Sequence, residues 1–216
     1  SVCRLYLQHY QLSYDWKEEV LISNGATEAI YAIITATINP GDEVIIFEPF
    51  YDSYLAAIKI AGGTPVPVAL TPPHFDLSQS ELSQKFNSKT KLVIFNNPHN
   101  PTGRVFRIEE LELLSSLCLK YDVMILADEV YEFMVFDQHK HIPFATLPGM
   151  KQRTLMVSSA GKTLGITGWK IGWVLGPSAL IHAVRMAHQF ITFCASTPLQ
   201  LATARALDIF PLHLHD

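Results

Sequence analysis

The 216-residue sequence is poor in cysteine. Cys3, Cys118 and Cys194 are odd in number, far apart and never spaced as Cys-x-x-Cys. This argues against a disulfide framework and a zinc ribbon, and it predicts a reducing compartment, cytoplasmic or mitochondrial. An excess of one charge is also lacking. Sixteen Lys and Arg against twenty Asp and Glu leave a formal net charge of -4, which gives no electrostatic reason to expect nucleic acid or an anionic membrane as partner. No window approaches the roughly 18 uninterrupted apolar residues of a membrane span. The opening Ser1-Val2-Cys3-Arg4-Leu5 lacks the basic and apolar regions of a signal peptide. Internal repeats, low-complexity tracts and a linker that would divide the chain are likewise missing, so a soluble chain with one main domain is expected.

What is present is a hydrophobic content of 49% with 17% charged residues, a balance that supports a packed α/β core. Short apolar runs rich in β-branched residues alternate with segments of helical period, as expected for parallel strands joined by crossover helices. The expected strands are Val44–Phe47, Thr64–Val68, Leu92–Phe95, Met124–Ala127, Thr154–Val157 and Ile171–Leu175. The expected helices are Glu28–Ile38, Tyr51–Ile60, Leu77–Phe86, Ile108–Tyr121 and Ala179–Phe190, and the first ten residues also look helical. Several strands are apolar throughout, which implies helices on both faces of the sheet. In such sheets ligands gather at the carboxyl ends of the strands.

Those strand ends carry the reactive side chains. The loop after Leu92–Phe95 reads Asn96-Asn97-Pro98-His99-Asn100-Pro101-Thr102-Gly103, the next strand runs into Asp128-Glu129-Val130-Tyr131, and the following one into Ser158-Ser159-Ala160-Gly161-Lys162-Thr163. Singly each is modest: a turn-rich loop, one acid, a lysine of the kind usually solvated. Together they deliver an asparagine, an aspartate with a tyrosine, and a lysine to one edge. Gly25-Ala26-Thr27 reads on its own as an ordinary helix start, and Tyr51 and Trp169 as core aromatics. His139, His141, His182, His188, His213 and His215 have no acidic or cysteine partner at metal-ligand spacing, so no metal site is expected. Glu109, Glu110 and Glu112 read as a solvated face at a helix start.

Five stretches resemble the class I/II aminotransferases of pyridoxal-phosphate (PLP) fold type I, in that family's order and spacing: Ser23-Asn24-Gly25-Ala26-Thr27-Glu28, Asn97 to Gly103, Asp128 to Tyr131, Ser158 to Thr163, and Thr167-Gly168-Trp169-Lys170. Within the family, Glu48 to Tyr54 and Thr167 to Trp173 are most similar to methionine and kynurenine (glutamine transaminase K-like) aminotransferases. The resemblance implies the PLP-dependent transferase large domain, a mostly parallel sheet with helices on both faces, over residues 1–207. An unmatched tail would follow at 208–216, and the small domain would be largely absent.

The resemblance further implies PLP held covalently by Lys162, which then serves as general base. Asp128 would keep the pyridine nitrogen protonated, Asn100 and Tyr131 would donate to the phenolic oxygen, and Tyr51 would stack on the ring. Ala26 and Thr27, at a helix start, would meet the phosphate with Ser159 and Lys170. The implied reaction is ping-pong transamination of a sulfur-containing or aromatic L-amino acid with a 2-oxo acid, in a homodimer. Two alternatives stay open: carbon-sulfur β-lysis of cysteine conjugates on the same scaffold, and an inactive shortened chain acting as a dimerisation partner. Arg185 and Arg205 match no carboxylate-binding position.

Overall fold

A computed structural model describes residues 1–210. Its elements are α1 (Val2–Tyr10), β1 (Val20–Ser23), α2 (Ala26–Thr37), β2 (Glu43–Glu48), α3 (Ser53–Ile60), β3 (Thr64–Thr71), β4 (Asp76–Leu77), α4 (Gln79–Lys85), β5 (Thr90–Asn96), α5 (Ile108–Tyr121), β6 (Met124–Asp128), β7 (Thr154–Ser159), α6 (Ala160–Thr163), β8 (Gly172–Leu175), α7 (Ser178–Ile191) and α8 (Thr197–Ile209). They form one eight-stranded sheet in the order β1-β8-β7-β6-β5-β2-β3-β4. The central pairs, from β7 through β6, β5 and β2 to β3, are parallel.

The continuous apolar strands have the predicted cause. Side chains alternate across a strand, so Ile45, Phe47, Val93 and Phe95 enter one buried cluster with α5, while Val44, Ile46, Leu92 and Ile94 enter another with α2 and α7. Both faces of the sheet are therefore dry, and polar groups that need solvent or a ligand are pushed to strand ends.

Three expectations change. The strand expected at Ile171–Leu175 begins at Gly172 and runs antiparallel to β7; the segment between them carries only one-turn helices and no crossover helix of the kind that joins parallel strands. Leu77 is not helical but pairs with Leu70 at the sheet edge. The helix starts after Ser78, whose hydroxyl accepts from the Glu81 amide at 3.3 Å. Strand β1, too short to signal itself, closes the other edge by pairing with β8. Of the tail expected at 208–216, Asp208 and Ile209 continue α8, and 211–216 lie outside the described residues. Among the described residues no helix is long and apolar enough to cross a membrane.

Candidate active site

Register assembles the site. Asn96, the last residue of β5, is the Cα partner of Asp128, the last of β6. One strand further, Ser159 ends β7 opposite Gly172. Gly172 on its other side faces Ser23, just ahead of the Gly25 turn that starts α2. Five strand ends thus frame a cavity of about 340 Å³. Every nominated residue borders it: Ala26 and Thr27 from α2, Tyr51 from the loop after β2, Asn100 from the loop after β5, Asp128 from the end of β6 and Tyr131 just beyond it, Ser159 from the end of β7, Lys162 from α6, and Lys170 from the turn before β8. Trp169 does not line it.

One end of the cavity is built for an anion. Gly25 has φ +83°, a left-handed conformation that suits glycine, and this turn lets α2 begin with no side chain capping its free amides. Those amides and the helix dipole favour negative charge. Lys170 stands beside them: a β-carbon at Gly25 would lie 3.5 Å from its Nζ. Among the described residues neither Lys170 nor Lys162 is ion-paired, so the positive field is not internally cancelled. The Lys162 ammonium lies over the Tyr131 ring, 5.2 Å from its centre.

The floor is an acid held in a dry place. Asp128 is 5% exposed, and burial pushes its carboxyl up to about 6, opposed by a hydrogen bond from Tyr54, the Val130 amide and the charge of Lys162. Tyr54 donates to Oδ2, and the Val130 amide reaches Oδ1 at 3.4 Å. The sequence reading missed Tyr54. Its only signal was the tyrosine spacing in Tyr51-Asp52-Ser53-Tyr54, one helical turn apart.

The asparagine loop divides its labour. The Asn96 side chain donates to the Asp128 carbonyl at 2.8 Å and accepts from the Asn100 amide at 2.6 Å. Asn97 accepts from the Phe106 amide at 3.1 Å. Both therefore brace the backbone; Asn96 and Asn100 border the cavity, and of the two only the Asn96 side chain is committed to the backbone among the described residues. His99 is buried against Thr102 at 2.8 Å, and burial together with nearby Arg104 lowers its pKa to about 4, so it stays neutral.

One reading of the acids is corrected, and two histidines meet acids that their spacing in the chain does not show. Glu110 is not on a solvated face: it is 7% exposed, accepts from Arg104 at 2.5 and 2.7 Å, and accepts from the Arg107 amide at 3.0 Å. His141, without an acidic neighbour at ligand spacing in the chain, meets Glu129 at 3.2 Å in the fold, and Glu132 completes a buried trio with them. Glu132 accepts from Tyr6 at 2.8 Å and Ser158 at 2.7 Å, and its other oxygen has no partner among the described residues. His188 contacts Glu28 at 3.0 Å. Glu28 in turn accepts from the Asn24 amide at 3.1 Å, bracing the turn before α2. His213 and His215 lie outside the described residues.

The family model described as "Aminotransferase class I and II" matches residues 1–215. A kynurenine–oxoglutarate transaminase 3 of Rattus norvegicus is 44% identical over 215 aligned residues, covering 95% of this chain and 47% of the relative. The structure of N-succinyldiaminopimelate aminotransferase from Mycobacterium tuberculosis superposes with a TM-score of 0.97 at 40% identity, covering 99% of this chain and 56% of that one. YbdL from Escherichia coli, reported with a methionine aminotransferase function, gives 0.96 at 38% identity over 99% of this chain and 56% of its own. The chain spans about half the length of the curated relatives it matches.

Proposed function

Because the chain belongs to the aminotransferase class I and II family, we propose that it binds PLP through Lys162 and moves an amino group between an amino acid and a 2-oxo acid. The observation that carries this reading is the convergence, on one cavity, of a lysine in α6 without an ion-pair partner among the described residues, a buried aspartate at the end of β6, and an uncapped helix start with a second such lysine. The donor set fits the cofactor. A phosphate needs free amides and positive charge, which Ala26, Thr27, Ser159 and Lys170 supply. A pyridine nitrogen needs an acid held out of water, which Asp128 supplies.

When bound, the cofactor supplies an electron sink for the charge left when an α-proton departs. The protein's residues do the rest. Asp128 would hold a proton on the pyridine nitrogen. Asn100 and Tyr131 would donate to the phenolic oxygen, and Tyr51, 37% exposed at the cavity mouth, would cover a ring face. The Lys162 amine, once free, would take the substrate's α-proton and deliver it to the cofactor-side carbon two atoms along, across the nitrogen. A 2-oxo acid acceptor then runs the sequence in reverse, which is ping-pong turnover. The substrate class we propose is a sulfur-containing or aromatic amino acid, supported by the kynurenine and methionine aminotransferases among the similar proteins. We take the working assembly to be a homodimer.

The test is an absorbance spectrum of the purified chain with PLP, then borohydride reduction and peptide mass mapping. A visible cofactor band and a reduced adduct on Lys162 support the reading. A folded sample with no band and no adduct overturns it. A panel of methionine, kynurenine, glutamine and aromatic donors with 2-oxo acid acceptors then sets the substrate. Release of ammonia and pyruvate from a cysteine conjugate without an acceptor would instead identify β-lysis.

A further inference from the structure

Among the described residues the Asp128 carboxylate has one hydrogen-bond donor from outside its own loop, Tyr54, and Tyr54 does not line the cavity. We infer that Tyr54 is a positioning residue for the proposed cofactor site, clamping the Asp128 carboxylate from below so that it stays ionised and fixed in orientation beneath the cavity. This rests on the PLP reading of the site.

Three features of the structure support the assignment. Tyr54 is 3% exposed and belongs to the buried cluster of α2, α3 and β2, so its ring is fixed by packing. Its hydroxyl donates to Asp128 Oδ2, and burial beside that carboxylate holds the phenol well above its ordinary pKa. It is therefore a donor at every working pH. Its ring also stands edge-on to Tyr51, with centres 5.7 Å apart and planes at 86°. One tyrosine thus touches both the acid and the aromatic lid of the cavity.

The need for such a clamp follows from the surroundings of Asp128. Burial and the neighbouring Glu129 disfavour its charge, and Lys162 from α6 favours it. Lys162 cannot be a steady counter-ion if it is to bond covalently to a ligand and lose its charge. Tyr131 and Tyr51 are the other titratable groups near this pair, and both border the cavity, where a ligand would engage them. Asn96 donates to the Asp128 backbone carbonyl, not to its carboxylate. Tyr54 and the longer contact from the Val130 amide are left as the ligand-independent donors. A hydrogen bond to a buried carboxylate is of the stronger kind.

The test compares wild type, Tyr54→Phe, Asp128→Asn and the double variant in the 216-residue chain. First, the Asp128 carboxyl is titrated in cofactor-free protein by ¹³C NMR, with Asp128→Asn assigning the resonance. Loss of the phenol should raise its midpoint by about one pH unit or more. Second, PLP affinity is measured. Tyr54→Phe should weaken it about tenfold in the wild-type background and leave it unchanged in the Asp128→Asn background. Third, in unmodified cofactor-free protein, the Tyr54 hydroxyl proton should give a downfield, slowly exchanging resonance, a readout that does not depend on any variant folding. An unchanged Asp128 midpoint, or an equal affinity loss in both backgrounds, would reduce Tyr54 to a packing residue and overturn the inference. Failure of wild type to take PLP on Lys162 would instead overturn the functional reading, and the titration would still decide the role of Tyr54.

Discussion

Replacing Gly172 with alanine would put a β-carbon 2.7 Å from the Gly25 carbonyl carbon, and 2.9 Å from both the Ala26 amide nitrogen and the Gly25 α-carbon. All three neighbours are backbone, so no side chain can swing aside. Retreat of β8 is blocked as well, because Gly172 sits between Ser23 on β1 and Ser159 on β7. The Gly25 turn must move. Overpacking of this kind costs about 1–3 kcal/mol, which in a domain of this size lowers Tm by about 2–4 °C per kcal/mol. The displaced group is the Ala26 amide, proposed to meet the phosphate, so PLP affinity should fall about tenfold or more, the loss expected when a hydrogen bond to a charged group is spoiled.

Gly176 provides the control. A β-carbon there would meet Leu155 Cδ2 at 2.8 Å and the Thr154 carbonyl oxygen at 3.0 Å, comparable crowding just past the far end of the same strand. Gly176→Ala should lower Tm and leave PLP affinity alone. Gly168→Ala, with nothing within 4 Å of its new carbon, should change neither. Thermal melts of the cofactor-free proteins and PLP titrations by fluorescence read both quantities. Equal PLP affinity for Gly172→Ala and Gly176→Ala, at equal loss of Tm, would refute the claim that the Gly25 turn is the phosphate cup.

Other substitutions probe the acids. Arg104→Met removes the guanidinium from Glu110, and both side chains are largely buried. With only the exposed Arg107 left within ion-pair reach at 3.5 Å, the buried carboxylate should cost about 1–3 kcal/mol in urea unfolding. Asp128→Asn should stabilise the cofactor-free protein at pH 7.5 by about 2–3 kcal/mol and give no gain below pH 4. The sign follows from a carboxyl raised from 3.8 to about 6 in the fold: the folded state keeps a proton that the unfolded chain releases, so stability falls as pH rises between those values. The same variant should weaken PLP binding. Glu132, raised by burial from 4.5 to about 7, acts in the same direction, so Glu132→Gln should flatten the decline of stability between pH 5 and 7 measured by denaturant titration at each pH. A decline as steep as that of wild type would show that Glu132 is not the group titrating.

Much of the sheet was legible because its core strands are buried on both faces. A strand such as β5, with Leu92, Val93, Ile94 and Phe95 all buried, announces itself without alternation. Helix α5 was read to its ends from its apolar period alone, while the role of Glu110 as its capping carboxylate was taken for part of a solvated face. The edges were not legible. β1 and β4 are short and take their extended form from a neighbour, β8 or β3, and such pairing leaves no periodic trace of its own. The orientation of β8 depended on the length of the connection before it, which had to be weighed against a general expectation of parallel strands.

For the site, the residues that border the cavity were legible through the family resemblance of the stretches that carry them, in which chemistry restricts the types: an amine at Lys162, an acid at Asp128, an amide at Asn100. The residues that hold them in place did not. Tyr54 lies 74 positions from Asp128, Tyr6 lies 126 from Glu132, and His188 lies 160 from Glu28. No local spacing connects such partners. Each is an ordinary tyrosine or histidine in its own segment, and it acquires a role only when two strands or helices bury a polar atom that must then find a partner. The acid next to Asp128 illustrates the point. Glu129 follows it in the chain, yet its side chain accepts from the Phe144 amide at 2.8 Å and contacts His141, on the side of the sheet away from α2. Alternation across β6 therefore sends two consecutive carboxylates to opposite fates: Asp128 to a cavity that wants a proton held, and Glu129 to a buried loop that wants its amides satisfied.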